Sequence, residues 1–398
     1  MVSTLHALTQ QANRGKLPRL SYLQITCALN GYHVKLLKKD YYLRHKRIAK
    51  QRTWQKHGRV RPKKNQDICH QSTVDSLTIE APEVIGLHSK TLHSNLTRFL
   101  STLRKESLRQ RRIRIDFSKT NKVISTGMLL MLAEIDRLRI TLGDQCKITC
   151  SYPQDQTVEK VFQQIGFFNI LGKAHRLEIN EDDVTVKNWR YASGVSVNPK
   201  DADILLKAIK NKIPKGYLRL VPGVSEAMDN AVHHAYIRPR EDRISKSGID
   251  KSNDKRWWVF AQVHDGRLSV IFCDLGLGIP VTLPEKWAES IGDIVRLTTL
   301  SPGKRDMRMI RRALELGRTR TDQGHRGKGL AQNVMKAAEE LSGRLHVYSN
   351  AGVVGVDFAG GSPTYTQDGH QRSILGTVIQ WSVPITDEQV QEDDNVEN

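Results

Sequence analysis

The sequence predicts an α/β protein, with two α/β units in succession behind a basic amino-terminal segment. Three observations carry this reading. Between residues 75 and 175, alternating strand-like stretches such as "RRIRIDFS" and "QCKITCSY" take turns with stretches of helical period such as "STGMLLMLAEIDRLR". From 201 to 384 the same exchange of patterns returns on a larger scale. Residues 14–64 hold sixteen Lys/Arg against one acid, Asp40, and so carry +15 of a formal net charge of +20.

The boundaries follow from composition. Residues 1–70 form the basic segment, 75–175 the first α/β unit, and 176–200 a connector with a strand in it. Residues 201–384 form the second unit, and 385–398 an acidic tail that reads as disordered. Hydrophobic residues make up 38% of the 398, enough for real cores. The five cysteines (Cys27, Cys69, Cys146, Cys150 and Cys273) make no CxxC pair, which favours free thiols and a cytoplasmic location. The first residues lack the apolar run of a signal peptide. No apolar stretch reaches the roughly 18 residues of a membrane span, so no membrane is expected.

The basic segment interleaves Lys and Arg with Tyr32, Tyr41, Tyr42 and Trp54. Three readings stay open: a solvated arm, a DNA- or RNA-binding surface over 14–64 with aromatics to stack on bases, or a dock for an acidic protein partner. Its histidines and Cys69 do not fit a zinc spacing.

In the first unit, "LTRFLSTLRKESLRQ" is a basic amphipathic helix and "RRIRIDFS" a strand. "STGMLLMLAEIDRLR" is an apolar-faced helix with Ser125 or Thr126 at its N-cap. "TVEKVFQQIGFFNIL" is a further helix, broken near Gly166.

The second unit carries the chemistry. In "VSEAMDNAVHHAY", Glu226 and Asn230 stand four apart and share a helix face. A carboxylate there can take a proton as a general base, and an amide oxygen one turn on can hold Mg²⁺. The charged insertion "RPREDRISKSGIDKSNDKR" reads as a mobile loop. Asp265-Gly266 is a hairpin turn between two alternating strands, the second ending in Asp274. Gly276 and Gly278 follow and let the backbone approach a ligand closely. Further on, "GHRGKGLAQNVMKAAEELSG" places Gly324, Gly327, Lys328, Gly329 and Leu330 at the start of a helix, a pattern that cradles phosphate. "RLHVYSN" and "LGTVIQWSVP" read as strands, with Thr377 opening the last.

Two resemblances follow from these motifs. "VISTGMLLML" resembles the strand, hydroxyl pair and helix of the STAS domain of anti-sigma-factor antagonists, over about 100 residues, with Ile124 where that family usually has Asp. The resemblance implies Thr126 as the phosphoacceptor, with Ser125 beside it; capping the helix is the other role open to both. The ordered set of Glu226 and Asn230, "DLGLG", "GHRGKGL" and "LGTVIQWSVP" resembles the histidine-kinase-like (GHKL) ATPases, over about 160 residues. "EAMDNAVHHAY" is most similar to the anti-sigma-factor serine kinases, with Ala235 in place of their glycine. The expected fold is therefore a STAS-like domain followed by a GHKL (Bergerat) α/β sandwich. The resemblance implies ATP and Mg²⁺ as cofactors, Glu226 as the catalytic base and Asn230 on Mg²⁺. It puts Asp274 and Thr377 at the adenine, and Gly276, Gly278, Gly327, Lys328, Gly329 and Leu330 along the nucleotide. It makes 280–323 a lid, whose basic stretch 304–320 either touches phosphate or is solvated.

The sequence thus points to an ATP-dependent regulatory switch that acts on a protein partner, with a serine/threonine kinase as a variant and a homodimer as an assembly to test. An ATP-gated nucleic-acid effector is the alternative, and a non-catalytic scaffold the third. For the effector, deletion of residues 1–70 is expected to abolish DNA or RNA binding in a filter-binding titration and to leave ATP affinity intact. Binding by the whole chain should fall steeply from low to high salt.

Overall fold

The computed structural model describes residues 76–178, 190–197, 199–247, 255–286, 300–319 and 330–386. The basic segment, the acidic tail from 387 on and the run Gly327–Gly329 lie outside them. The architecture is mixed α/β, and residues 73–398 cluster as one compact unit.

The chain begins with β1 (Leu77–Glu80) and β2 (Val84–Ile85), then α1 (Lys90–Ser107), β3 (Arg112–Asp116), β4 (Lys122–Val123), α2 (Ser125–Leu142) and β5 (Lys147–Cys150). Two short helices follow, α3 (Gln156–Gln164) and α4 (Phe167–Ile170). Gly166, at φ 75°, makes the break between them that the sequence predicts. β1, β3 and β5 form a parallel three-stranded sheet in the order β1-β3-β5. Ser89 caps α1, its hydroxyl accepting from the Leu92 amide at 3.3 Å.

The second part runs β6 (Arg190–Gly194), α5 (Asp203–Lys212), α6 (Pro214–Asn230), α7 (Arg243–Lys246), β7 (Trp257–His264), β8 (Arg267–Asp274), α8 (Ile279–Lys286) and α9 (Pro302–Thr319). It ends with α10 (Lys336–Glu340), β9 (Arg344–Ser349), β10 (Gly352–Asp357), β11 (Thr364–Gly369) and β12 (Thr377–Pro384). Seven strands form one antiparallel sheet in the order β11-β10-β9-β12-β8-β7-β6. The expected hairpin at Asp265-Gly266 is present, with φ of 49° and 65° at the two positions.

This sheet is covered on both faces, and the pleat shows it. On one face Trp257, Val259, Val270, Phe272, Ile379 and Trp381 join a core with α5, α6, α9 and α10. On the other, Trp258, Phe260, Ile271, Cys273, Val378 and Tyr348 join the core of the three-stranded part. The helix between them is α2, in which fourteen of eighteen residues are buried. A helix apolar all round is one enclosed all round. Local patterning shows α2 with a single apolar face, because nothing adjacent in the chain points to a partner for the opposite one.

Several expectations change here. Ser125 and Thr126 do not cap α2: Ile124 occupies the N-cap, without a side-chain bond. Both hydroxyl residues lie inside the first turn, buried, and Thr126 Oγ1 has no hydrogen-bond partner among the described residues. The strand expected in the connector is present as β6, which pairs with β7, so the sheet starts at Arg190. The stretch read as part of a lid contains α9, whose Met309, Ile310, Ala313 and Leu314 are buried, Ile310 and Leu314 in the core itself. Lys304, Arg305, Arg308 and Arg312 of α9 stay exposed.

The charged insertion departs furthest from a loop. Arg240 and Asp242 are buried against Glu134 of α2, which is itself fully buried. Arg240 Nη2 donates to both Glu134 oxygens, at 2.9 and 3.0 Å. Arg137 reaches Glu134 at 3.2 Å and Asp242 at 2.9 Å, and Arg104 lies 3.2 Å from Glu134. Burial alone would push the Glu134 carboxyl up. The guanidinium groups of Arg240, Arg104 and Arg137 hold it below the usual range instead. Beside this network Trp258 donates to Asp136 at 3.0 Å. At the rim of the same seam, His93 of α1 stacks on His370 at 3.7 Å between ring centres, and burial pushes His93 down to about 3.

The start of α2 gives a stability prediction. A Cβ on Gly127 would come within 2.5 Å of the Gly86 backbone. Gly127→Ala is therefore expected to cost about 1–3 kcal/mol through overpacking, read as a lower midpoint in urea unfolding.

Candidate functional site

Of the sequence-predicted residues, Asp274, Gly276, Gly278 and Thr377 lie together at one end of the seven-stranded sheet, where β8 stops and β12 starts. Thr377, first in β12, pairs directly with Asp274, last in β8. Both are buried. Gly276 N–H donates to Asp274 Oδ1 at 2.9 Å, an Asx turn that bends the chain away from the strand. Thr377 Oγ1 and Ser349 Oγ lie 3.0 Å apart. Burial pushes the Asp274 carboxyl up to about 6, against the pull of the Gly276 amide, the Thr377 hydroxyl and amide, and Arg240. A buried carboxylate that titrates this high, at a sheet end, is a functional-site candidate on physical grounds.

The two glycines are needed, but for the chain's own packing. A Cβ on Gly276 would come within 2.3 Å of the Ala235 carbonyl oxygen. Gly278 sits at φ 79°, and a Cβ there would meet the Asn350 side chain at 2.7 Å. The close approaches that the two glycines permit within the chain are to Ala235 and Asn350. They fasten the loop. Leu277 N–H donates to Ala235 O at 2.8 Å, Asn350 Nδ2 donates to Leu277 O at 2.8 Å, and Leu275 N–H donates to the Tyr236 hydroxyl at 2.9 Å.

Through Ala235 and Tyr236 the loop is bolted to the helix of Glu226 and Asn230. α6 ends at Asn230 and continues as a turn of π-helix, Ala231–Ala235. A second π-helical turn, Leu330–Met335, packs across from α6. Such turns are rare and gather at functional sites. Gly223 permits the close crossing, since a Cβ there would lie 3.1 Å from the Asn333 carbonyl oxygen. Trp381 donates to the Val334 carbonyl at 2.8 Å and satisfies part of the irregular turn.

Between the two π turns lies Glu226. Asn230 Nδ2 donates to its Oε1 at 2.8 Å and to its main-chain oxygen at 2.9 Å. Asn333 Nδ2 donates to its Oε2 at 3.1 Å. Among the described residues, each carboxylate oxygen therefore holds one amide donor and keeps a lone pair free. With its nitrogen so engaged, Asn230 has its amide oxygen left to meet a cation. Among the described residues no group of three or more His, Cys, Asp or Glu side chains could hold a metal, so Mg²⁺ here would depend on Asn230 together with phosphate and water.

Leu330, the last of the glycine-rich run, packs against the core of the sandwich. Gly327, Lys328 and Gly329 are outside the described residues. Sequence reasoning missed Asn333, Ser349 and Asn350. Asn350 takes φ 52°, a backbone form asparagine tolerates, and the residue after a strand was the available signal. Asn333 had only its place as a polar residue within an otherwise amphipathic helix pattern. The chain matches no family model and no curated protein.

Asp274 yields a pH prediction. Its folded pKa lies above the unfolded one, so its contribution to stability is fully present below about pH 4 and is lost as pH rises through about 6. Asp274→Asn is expected to remove this fall, about 3 kcal/mol in size, from urea unfolding free energies measured between pH 4 and 7.

Proposed function

We propose that the chain is an ATP-binding regulatory protein of the histidine-kinase-like class, with the nucleotide in the seven-stranded sandwich and a STAS-like fold in the three-stranded part. The observation that carries this is Asp274. A carboxylate buried at the strand end, with one oxygen turned to its own loop and Thr377 beside it, suits an exocyclic amino group as donor, as on adenine.

The donor set fits Mg-ATP. Asp274 and Thr377 orient the base. Asn230 offers an oxygen to the cation, which supplies charge neutralisation at the phosphates. Glu226 is fixed by two amides with a lone pair free, placed to take a proton from water or from a hydroxyl of a protein substrate. Tyr236, Ala235 and Asn350 keep the base-binding loop and the catalytic helix in register, so both ends of a bound nucleotide would meet one rigid frame. Gly327, Lys328 and Gly329 take the phosphate side by the resemblance of their motif.

The test is ATP affinity by calorimetry together with γ-labelled turnover. Wild type is expected to bind Mg-ATP. Glu226→Ala should retain affinity within a few-fold and lose turnover by about 10²–10⁴-fold. Asp274→Asn should lose affinity by about tenfold or more. Label retained on a protein would make the activity a kinase, and released phosphate would make it an ATPase. Absence of Mg-ATP binding by the wild-type chain would overturn the reading.

A further inference from the structure

Arg240 touches two places that the sequence kept apart. Its Nη2 binds Glu134 in α2 at 2.9 and 3.0 Å, and its Nε binds Asp242 at 2.9 Å. Its Nη1 donates to the Leu375 carbonyl at 2.8 Å. Leu375 has φ 58° and Gly376 φ 148°, so the turn into β12 holds two consecutive residues in strained or glycine-only backbone. That turn lies directly beside Asp274. A Cβ on Gly376 would come within 2.3 Å of the Asp274 main-chain oxygen, Gly376 O accepts from Asn350 N–H at 3.0 Å, and Thr377 pairs with Asp274. A guanidinium is suited to this task, because its planar fork can serve several acceptors at once.

We propose that Arg240 is a positioning residue of the Asp274 site, held in place by Glu134, so that the site is set only while the three-stranded part is docked on the sheet. The identity of the ligand rests on the nucleotide reading above; the role of Arg240 does not. Docking of α2 and ligand binding at Asp274 then favour each other, since coupling between two events is reciprocal. The three-stranded part becomes a component of the site rather than a neighbour joined by a linker.

The charged and titratable groups that meet Asp274 are Arg240 and Tyr236 from the segment after α6, and Cys273 from β8; Thr377 adds its hydroxyl from β12. Burial raises the Tyr236 and Cys273 groups well above their ordinary values, so both are neutral near pH 6 and Arg240 is the one charge among them. Loss of Arg240 removes its attraction for the ionised carboxylate and frees the turn that carries Thr377. Both changes move the Asp274 midpoint up.

The experiment uses the full chain as wild type, Arg240→Met and Arg240→Lys. The Asp274 midpoint is read without nucleotide from its carboxylate carbon resonance, assigned with Asp274→Asn, and Mg-ATP affinity follows by calorimetry. Arg240→Met is expected to raise the midpoint and to weaken Mg-ATP about tenfold or more, and Arg240→Lys, which keeps the charge, to bring the midpoint back toward wild type. A folded Arg240→Met with the wild-type midpoint overturns the proposal. If that variant does not fold, amide exchange in Arg240→Lys decides. An ammonium cannot span Glu134, Asp242 and Leu375 together, so exchange at Leu375–Thr377 must quicken about tenfold while the rest of β12 keeps its protection. Unchanged exchange there overturns the proposal. A wild-type chain that binds no Mg-ATP would sink the nucleotide reading and leave the midpoint and exchange results to decide the role of Arg240.

Discussion

A carboxylate shut away from water stays charged only if cations go in with it, and Glu134 has three arginines around it. The arrangement of the molecule depends on this cluster. Arg104 comes from α1, Arg137 from α2 itself, and Arg240 with Asp242 from the segment after α6. Arg104 and Arg137 leave one positive charge over Glu134 on the side of α1 and α2, while Arg240 and Asp242 balance on the other, and bonds cross the seam in both directions. Separating the two parts would take Arg240 from Glu134 and Asp242 from Arg137. A buried ion pair adds little over an apolar isostere, but removing one member costs several kcal/mol, so the cluster acts chiefly by excluding other ways of packing α2 on the sheet. The apolar contacts supply the stability: Trp258, Phe260, Ile271 and Val378 have no other cover.

The same docking explains the composition of the central strands. β8 is buried along its whole length except at its first residue. An antiparallel strand with a solvated face would alternate; one between two layers cannot. The ends of such strands are where polar groups can collect, because the layers diverge there and leave backbone groups to satisfy. Asp274, Thr377, Ser349 and Asn350 occupy that end. Their bonds to the Gly276, Leu277 and Gly376 backbone complete the turns and at the same time present one buried carboxylate.

What the sequence made legible was local. Strand alternation, the Asp265-Gly266 turn and the break at Gly166 depend on a few adjacent residues, and each is where the pattern places it. Glu226 with Asn230 was legible because helix spacing makes neighbours predictable, and Asp274 with Thr377 through the resemblance of their motifs to the histidine-kinase-like ATPases. The seam was not. Arg240 and Asp242 sit in a run of charged residues whose composition is that of a solvated loop, and only Glu134, more than a hundred positions earlier, turns them inward. Asn333 stayed hidden for a related reason: its side chain faces Glu226 only because the chain there takes a π turn, which shifts the facing residues relative to an α-helix. α9 was read with its basic face in view, and its apolar face is the one that fixed its place.

Burial also changes what the hydroxyls at the start of α2 can do. Ser125 and Thr126 would have to receive a phosphoryl group in a first turn that is closed by Gly86 and packed on every side. A dianionic group with three acceptor oxygens cannot enter there while α2 is docked. Any modification of Thr126 therefore requires the first turns of α2 to leave the seam, and Glu134 lies two to three turns further along the same helix. Undocking that reached Glu134 would release Arg240, and with it the Leu375 carbonyl and the turn beside Asp274. Were Thr126 phosphorylated, that state and the present arrangement around Asp274 would compete for one helix.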